Sequence, residues 1–593
     1  MLSSALRKLR LSHISLLLVG LMWVLPFLHS IHQYPLTTFY QEWWSAMLGV
    51  LALTLLAGSD YWRTPAIPRI AQLPAGLVVV VLLQWGLGKV AYFDQALLFV
   101  LYLLFASLLI LLGARLRDCF GLAKLALVLA IFLLIGAELS ALVGVLQHYR
   151  WHTLLDAVVI NKVSSSVYGN LGQPNHFANY ISLGLISLGL LYQQQRLKAG
   201  YVVLLAAPLL FVLTLSGSRS SWLYLLLMVA LAWWWARRDA AQRPLMRYSV
   251  LLIIGFGLMH LVVQLPFLAG ADSSVNTMQR LFGEGASGAI RLYVCHEAWL
   301  MFAQSPWLGV GFGQFAWHHF QLLPVLQQGN IVGLYNNAHN LIFQLAAETG
   351  AVGLLILFAS LAVWLYGMRR VTLDAAHWWA YAALGVLAIH SLLEYPLWYT
   401  YFLAVAAILL GALDETRYRL ELRLVGRASV VAMLLLGLMA LTQLFSGYRQ
   451  LESTLANPPA ANADQAAVAR FRDGLVAVHR GSLLSPYAEL AISGMIEISE
   501  QHIKEKLALN TRVMRFVPTG AVVYRQALLL AQVGELEQAQ AVMVQAIWSY
   551  PGNFGPAHKQ MIEMAEKDPA HFSALLEFAL QKAQEYHHAV HQQ

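Results

Sequence analysis

Residues 339–367 read HNLIFQLAAETGAVGLLILFASLAVWLYG, a histidine and an asparagine followed by a long apolar run. A helix needs roughly 20 mostly apolar residues to cross the hydrocarbon core of a bilayer, and this run is long enough. It nevertheless contains Gln344 and Glu348, and a carboxylate inside a membrane helix is costly unless it faces the protein interior. The stretch therefore predicts a spanning helix with a polar site in its first turns.

The composition of the whole chain agrees with a membrane protein. Of the 593 residues, 59% are hydrophobic and only 11% are charged, whereas a soluble domain carries about 25% charged residues. The sequence predicts an all-α, polytopic protein of about 13 transmembrane helices, the first being an anchor and not a cleaved leader. The predicted spans are 12–31, 43–59, 72–90, 95–114, 121–147, 174–193, 201–217, 219–236, 248–268, 339–367, 376–392, 397–413 and 428–446.

The distribution of Lys and Arg supports this number of spans. If the N-terminus is cytoplasmic, 20 basic residues before residue 447 fall on the cytoplasmic side and 6 on the opposite side, as the positive-inside rule expects. The net charge of +8 therefore reflects membrane topology, and nucleic-acid binding is not predicted. An odd number of spans places the residues after 446 outside the cytoplasm.

Two domains are predicted. Residues 1–446 form the transmembrane domain, which includes a large extracytoplasmic loop at 269–340, and residues 447–593 form a soluble α-helical domain. Within the second, residues 526–551 read QALLLAQVGELEQAQAVMVQAIWSYP, a pattern typical of a tetratricopeptide-type helix pair with a turn at Gly534. A plain helical domain is an equally good interpretation.

Polar residues collect in four extracytoplasmic stretches. These are YGNLGQPNHFANY at 168–180, SGSRSS at 216–221, the loop 269–340 and HSLLEYPLWYTY at 390–401. Aromatic belts at membrane interfaces explain part of this pattern. Arg219, however, lies between two spans joined by almost no loop, so we expect it to face a cavity or a partner. Arg291 begins a helical run whose peptide amides would favour an anion.

The two arginines suggest that this side of the protein binds a phosphate or pyrophosphate group, since guanidinium groups match phosphate oxygens and keep their charge. No nucleotide-binding glycine motif stands at a strand–helix junction, so a nucleotide donor is not predicted. The free energy for a reaction on this side of the membrane would have to come from a lipid-linked phosphate.

His339 is the candidate base, because the pKa of a free histidine lies near 6.5. Asn340 flanks it, and Gln344 and Glu348 form an i,i+4 polar stripe on the helix that follows. We expect at least one buried carboxylate to pair with an arginine or to orient His339. The candidates are Glu348, Glu394 and Glu138.

Several motifs carry a family resemblance. The Ser-Gly stretch at 287–288 with Arg291, PWLGVGFG at 306–313 and HNxxxQxxxExGxxG at 339–353 together resemble the core of the O-antigen ligase and O-antigen polymerase superfamily. YGNLGQPNHFANY and HSLLEYPLWYTYF are similar to the PglL-like protein O-oligosaccharyltransferases that glycosylate type IV pilins. The resemblance covers most of residues 1–590, although the spans before about residue 135 carry no matching motif.

The resemblance implies an inner-membrane enzyme with a cytoplasmic N-terminus and a periplasmic active site and C-terminal domain. It would transfer an oligosaccharide from undecaprenyl diphosphate to Ser or Thr hydroxyls of a pilin-like protein. The family pattern places the catalytic histidine at His339 and the diphosphate-binding arginines at Arg219 and Arg291. Supporting or substrate-contacting residues would be Gln173, Asn175, His176, Asn340, Gln344, Glu348, Glu394 and Tyr395. No metal or other cofactor is predicted.

Four alternatives remain open from the sequence. The acceptor could be the lipid A-core sugar, as in an O-antigen ligase, or a growing chain, as in an O-antigen polymerase. A transporter for lipid-linked sugars is a weaker alternative, because no repeated halves are evident. A non-catalytic scaffold would leave Arg219, His339 and Glu348 unexplained. The long C-terminal domain favours a protein acceptor, for which it offers a docking surface.

Overall fold

The computed structural model describes residues 2–57, 60–268, 270, 286–327, 331–370, 374–460 and 462–591. Most of the predicted loop 269–340 is thus described, whereas residues 269, 271–285 and 328–330 lie outside the described part.

The described chain is predominantly α-helical, as expected. The helices are α1 (Leu2–Met22), α2 (Leu25–Leu28), α3 (Phe39–Ala57), α4 (Gln72–Gly86), α5 (Phe93–Phe120), α6 (Leu122–Tyr149), α7 (Pro174–Gln193), α8 (Ala199–Leu215), α9 (Ser220–Arg238), α10 (Arg243–Val262), α11 (Ala286–Gln304), α12 (Phe315–Leu326), α13 (Leu341–Gly367), α14 (Ala375–Leu393), α15 (Thr400–Leu413), α16 (Leu424–Leu455), α17 (Gln465–Gly481), α18 (Ser485–Ser493), α19 (Ile503–Phe516), α20 (Gly520–Gln532), α21 (Leu536–Ser549), α22 (Phe554–Lys567) and α23 (Pro569–His591).

Every predicted span except the first overlaps a single α-helix, and the first, 12–31, overlaps both α1 and α2. Among the described residues, eight helical segments are long and apolar enough to cross a bilayer, and they are Leu11–Leu28, Arg69–Gly86, Phe93–Phe120, Leu122–Tyr149, Ala240–Val262, Leu341–Gly367, Ala375–Leu393 and Leu424–Leu455. Two further apolar helices, α8 and α15, are shorter. Helix α7 has the predicted bounds, but its polar start, PNHFANY, lowers its hydropathy. A helical membrane protein is therefore confirmed, while the number of 13 crossings stays a prediction.

The described chain forms two compact units. Unit 1 comprises Met1–Gly76, Tyr102–Ala286 and Ile356–Leu441, and unit 2 comprises Leu77–Leu101, Ser287–Leu355 and Thr442–Gln593. Unit 2 thus contains the tail helices together with the residues around His339. The predicted domain boundary at 446/447 stays a prediction.

Helix α7 lies at the centre of unit 1, where it packs against α6, α8, α9 and α14. Its side chains from His176 to Leu191 are all buried, so this helix faces protein on every side. Elsewhere in unit 1, helices α5 and α15 approach closely at two glycines. A Cβ on Gly113 would lie 2.1 Å from the carbonyl oxygen of Ile408, and one on Gly411 would lie 1.9 Å from that of Ile110. Small residues of this kind let membrane helices pack backbone to backbone.

A short antiparallel strand pair in unit 1 was not predicted. Strand β1 (Ala66–Pro68) pairs with β2 (Arg417–Arg419), and the carboxylate of Asp414 accepts a hydrogen bond from the backbone N–H of Ile70 at 2.9 Å. Three-residue strands that include a proline give no periodic signal, so the sequence pattern could not indicate them. The pair ties together two loops that the positive-inside rule assigns to the same side of the membrane.

The tail helices of unit 2 share a core with α12. Phe320 of α12 is fully buried in the same apolar cluster as Met543, Met561 and Leu575 of the tail. The predicted helix pair is present as α20 and α21, and its turn contains Gly534 with φ +83°. The assignment of this pair to a tetratricopeptide-like repeat stays a prediction.

The glycine-rich segment 306–313 is joined to α13 through the backbone. Gly350 has φ +66° and ψ −162°, which interrupts the helix. The peptide groups on either side of this interruption form hydrogen bonds with the backbone of residues 306–311 instead of with the helix itself. The four bonds are Ala351 N to Pro306 O (2.7 Å), Val352 N to Trp307 O (3.2 Å), Val310 N to Ala347 O (2.9 Å) and Gly311 N to Glu348 O (3.2 Å).

We expect Gly350→Ala to destabilise unit 2. A Cβ at this position would lie 2.5 Å from the backbone carbonyl of Trp307, and this glycine-only backbone conformation costs another residue on the order of 1–3 kcal/mol before any clash is counted. The matched control is Gly437→Ala on α16, where a Cβ would have no neighbour within 4 Å. Thermal unfolding of the purified protein should show a lower midpoint for Gly350→Ala only. Equal midpoints for both variants would contradict the role given to the break.

Candidate active site

Three of the four polar stretches converge in unit 1 at the start of α7. The Oε1 atom of Gln173 accepts a hydrogen bond from the backbone N–H of His176 at 2.7 Å and thereby caps the helix. Pro174 follows at the first helical position, where its fixed φ is compatible with a helix start. Gln173, which was predicted to support the site or to contact substrate, thus caps α7 through this oxygen atom.

Asn175 connects the other two stretches. Its Nδ2 donates to Oε1 of Glu394 at 2.9 Å, and its Oδ1 accepts from the hydroxyl of Ser218 at 2.8 Å. Glu394 is only 4% exposed, so this hydrogen bond satisfies a carboxylate that water hardly reaches. Because Arg219 follows Ser218 directly in the chain, the hydroxyl–amide–carboxylate chain also fixes the backbone that carries Arg219.

His176 lies in an aromatic cluster beside this hydrogen-bonded chain. Its ring centroid is 4.7 Å from that of Tyr399, 5.4 Å from that of His390 and 6.5 Å from that of Tyr395. The Nδ2 atom of Asn179 lies 2.8 Å from Nδ1 of His390. The structure therefore brings together five residues that the sequence had singled out, Asn175, His176, Arg219, Glu394 and Tyr395.

His339 lies in unit 2 in an unusual backbone conformation. Its φ of +50° is left-handed, although it is not a glycine, and its N–H donates to Oδ1 of Asn337 at 3.1 Å. Such conformations are strained and cluster at functional sites. The side chain is half-buried. We refer to residues 331–340 as the His339 loop.

Asn340 ends the His339 loop and caps helix α13. Its Oδ1 accepts from the backbone N–H of Ile342 at 3.0 Å and of Phe343 at 3.2 Å. Asparagine is a favoured residue at this position because it satisfies amides that have no partner within the helix. This acceptor atom of Asn340, like that of Gln173, is therefore used for capping.

The predicted polar stripe of Gln344 and Glu348 is present, and its side chains accept hydrogen bonds from the backbone of two other segments. The Oε1 of Gln344 accepts from the N–H of Ala338 at 2.6 Å, and the Oε1 of Glu348 accepts from the N–H of Phe315 at 3.3 Å. Both side chains are buried. Within the described residues, Glu348 thus holds the start of α12.

Helix α11, which carries Arg291, contacts the His339 loop through Cys295. The Sγ of Cys295 lies 3.5 Å from the carbonyl oxygen of Ala338, the residue before His339. Arg291 is four residues earlier, so it occupies the same face of α11 one turn away. Burial raises the pKa of the Cys295 thiol, which keeps it neutral beside this carbonyl. Arg291 and His339 are therefore parts of one local structure in unit 2.

Two residues that the sequence interpretation missed hold the glycine-rich segment 306–313. Nε2 of Gln84 donates to the carbonyl oxygens of Leu308 at 2.6 Å and Glu348 at 2.7 Å. The ammonium of Lys89 donates to the carbonyl oxygen of Gly309 at 2.7 Å. Gln84 follows the apolar run VVVVLL in a predicted span, and a buried amide in such a place is a usable signal of function.

The described part of the chain contains no cluster of three or more His, Cys, Asp or Glu residues that could hold a metal ion. Of the two predicted diphosphate-binding arginines, Arg219 lies in unit 1 and Arg291 in unit 2. Guanidinium groups are suited to phosphate oxygens.

Three parts of the chain match known protein families. Residues 167–192 match the family described as "Protein glycosylation ligase", residues 202–358 match "O-Antigen ligase", and residues 378–565 match "Virulence factor membrane-bound polymerase, C-terminal". The first match contains Gln173, Asn175 and His176. The second contains Arg219, Arg291 and His339.

Two curated relatives come from Acinetobacter baylyi. The chain is 30% identical to the "General O-oligosaccharyltransferase" over 451 residues, which cover 74% of this chain and 76% of the relative. It is 25% identical to the "ComP-specific O-oligosaccharyltransferase" over 388 residues, which cover 63% of this chain and 66% of that relative. Both relatives are named as O-oligosaccharyltransferases, which agrees with the enzyme class predicted from the sequence.

Proposed function

Because this chain belongs to the protein O-oligosaccharyltransferases, the PglL-like members of the O-antigen ligase superfamily, we propose that it glycosylates hydroxyl groups of a pilin-like protein. The donor is an oligosaccharide on undecaprenyl diphosphate, and the acceptor is a Ser or Thr hydroxyl. The reaction takes place at the periplasmic face of the inner membrane. The observation that carries this proposal is the strained, half-buried His339 next to the helix of Arg291.

The proposed reaction is a single displacement at the anomeric carbon. The acceptor oxygen forms the new bond to this carbon while the bond to the diphosphate oxygen breaks, which inverts the anomeric configuration. His339, as neutral imidazole, accepts the hydroxyl proton. Arg219 and Arg291 bind the diphosphate and stabilise the negative charge that develops on it as it leaves. Undecaprenyl diphosphate is the second product.

The remaining candidate residues divide into two groups. Gln173, Asn340, Gln344 and Glu348 position the backbone through the hydrogen bonds described above. Asn175, His176, Glu394 and Tyr395 form a polar and aromatic cluster, whose partly exposed members Asn175 and Tyr395 suit sugar hydroxyls and ring faces. This scheme requires no metal, since the arginines supply the positive charge.

Two features support a protein acceptor. One relative is named for a single acceptor, ComP, and the tail helices of unit 2 share a core with α12 of the same unit. The match of residues 202–358 to the O-antigen ligases leaves transfer to the lipid A-core as the second candidate. A lipid-linked sugar transporter has no comparable support.

A reconstituted assay tests the proposal directly. The purified protein is placed in proteoliposomes with an undecaprenyl-diphosphate-linked oligosaccharide, and a pilin-like protein or lipid A-core is offered as acceptor in parallel reactions. Intact-mass spectrometry should find the glycan mass on the pilin-like protein. Transfer to lipid A-core alone would replace the proposed acceptor, and release of neither product would overturn the assignment.

We expect Asn175→Asp to lower the transfer rate by at least about tenfold, since it removes a hydrogen bond to a charged group and places a second carboxylate beside Glu394. The double variant Asn175→Asp/Glu394→Gln restores one amide donor and one carboxylate and should recover most of the activity. The Glu394→Gln single variant serves as the control in this cycle. If the double variant is no more active than Asn175→Asp, the hydrogen bond is not what matters at this position.

A further inference from the structure

A histidine–glutamate pair lies inside unit 2, between helices α11 and α12. Nδ1 of His319 on α12 is 2.7 Å from Oε2 of Glu297 on α11, and both side chains are fully buried. Buried pairs of this kind rarely add net stability, and breaking one partner is strongly unfavourable. Neither residue was predicted from the sequence, and the proposed reaction does not use them.

The second ring nitrogen of His319 contacts the His339 loop. Nε2 lies 3.2 Å from the carbonyl oxygen of Gly333, and because a carbonyl oxygen can only accept, this nitrogen carries a hydrogen. The ring also packs edge-on against Tyr335, with centroids 5.4 Å apart. His319 therefore holds the loop at two positions while Glu297 holds His319.

Gly333 is bonded from its other side by the tail. Its N–H donates to the carbonyl oxygen of Ser549, the last residue of α21, at 2.8 Å. The φ of Gly333 is +97°, a value that a residue with a Cβ rarely adopts. The peptide groups of Gly333 thus connect the tail helices, through His319 and Glu297, to α11, the helix that carries Arg291.

We propose that Glu297 and His319 are positioning residues that fix the His339 loop relative to helix α11 and thereby set the distance between His339 and Arg291. Glu297 stands six residues after Arg291 on α11, and Gly333 stands six residues before His339. Cys295 and Gln344 fix the far end of the loop at Ala338, whereas His319 fixes its middle. The tail, through Ser549, is part of this support and not only a docking surface.

The kinetic consequence rests on the proposed function. A loop that is displaced by about 1 Å can lower a reaction rate about 100-fold although no reacting group has changed. We therefore expect His319→Gln and Glu297→Gln to lower kcat by at least about tenfold, with the donor KM nearly unchanged. The matched control is His318→Gln, the same change at the neighbouring residue, for which the structure shows no side-chain hydrogen bond.

Hydrogen exchange followed by mass spectrometry supplies a readout that does not depend on activity. In His319→Gln and Glu297→Gln, the amides of residues 331–340 should exchange faster than in the parent protein, while those of α7 and α14 in unit 1 stay protected. In His318→Gln, neither exchange nor kcat should change. If a single variant fails to fold, the double variant Glu297→Gln/His319→Gln, which buries no unpaired charge, replaces it.

Unchanged exchange in residues 331–340, or faster exchange throughout the protein, would overturn the positioning role. So would a kcat equal to that of the His318→Gln control. If the parent protein transfers no glycan at all, the proposed function fails, but the exchange experiment still decides whether the pair holds the loop.

Discussion

His339→Ala is expected to abolish glycan transfer in the reconstituted assay while the protein remains folded. A positioned general base contributes about 10²- to 10⁴-fold to a rate, and His339 is the half-buried histidine that the family pattern places in this role. His318→Ala on α12 is the matched control. The initial rate is measured by intact-mass spectrometry of the acceptor, and folding is checked by thermal unfolding.

The left-handed backbone of His339 allows a sharper version of this experiment. With φ at +50°, alanine introduces both the loss of the imidazole and a strained backbone, whereas glycine accepts this conformation freely. Asparagine also tolerates it better than most residues. His339→Gly and His339→Asn should therefore be as inactive as His339→Ala. Activity in either of them would mean that the backbone of the loop, and not the imidazole, is what the reaction requires.

Replacing Arg291 or Arg219 is expected to have the second largest effect. Removing one preorganised donor from a developing negative charge typically costs about 10²- to 10³-fold in kcat, so Arg291→Ala and Arg219→Ala should each fall in this range. Lysine keeps the charge but loses the planar pair of donors, so the lysine variants should recover only part of the rate. Arg472→Lys, at an exposed pair with Asp473, is the control.

The division of the effect between kcat and KM tests the role of the arginines. Charge on the diphosphate grows as the sugar leaves, so the loss should appear mainly in kcat. A higher donor KM with unchanged kcat would show that the arginine only binds the donor. Full activity of both alanine variants would remove the arginines from the mechanism.

The sequence was a reliable guide to the positions of the apolar helices and a partial guide to the chemistry of the protein. Apolar length and the Lys and Arg pattern placed α7 at its observed bounds, because both depend on local composition. The same pattern placed Asn175, Arg219 and Glu394 on one side of the membrane. It could not show that Asn175 bonds to Glu394 and Ser218, since that requires three segments of unit 1 to meet.

Other differences have identifiable causes. Gln173 and Asn340 are candidates in the sequence for supporting the site or contacting substrate, but both also precede helices, and their side-chain oxygen atoms cap those helices. The break at Gly350 lies inside an apolar run, where one glycine is a weak signal. Phe320 was assigned to a loop, yet it is buried among the tail helices. Packing between segments that are distant in the chain produces no periodic pattern in a single sequence.

The most direct test of the central claim is intact-mass spectrometry of the major pilin-like protein from cells that make a lipid-linked glycan. Cells with the parent gene, with the His339→Ala variant and without the gene are compared, and the lipopolysaccharide of each is analysed in parallel. The account predicts a glycan-sized mass increment on the pilin with the parent gene only, and unchanged lipopolysaccharide in all three. An unchanged pilin mass together with loss of the O-chain from lipopolysaccharide would contradict it and move the acceptor to the lipid A-core.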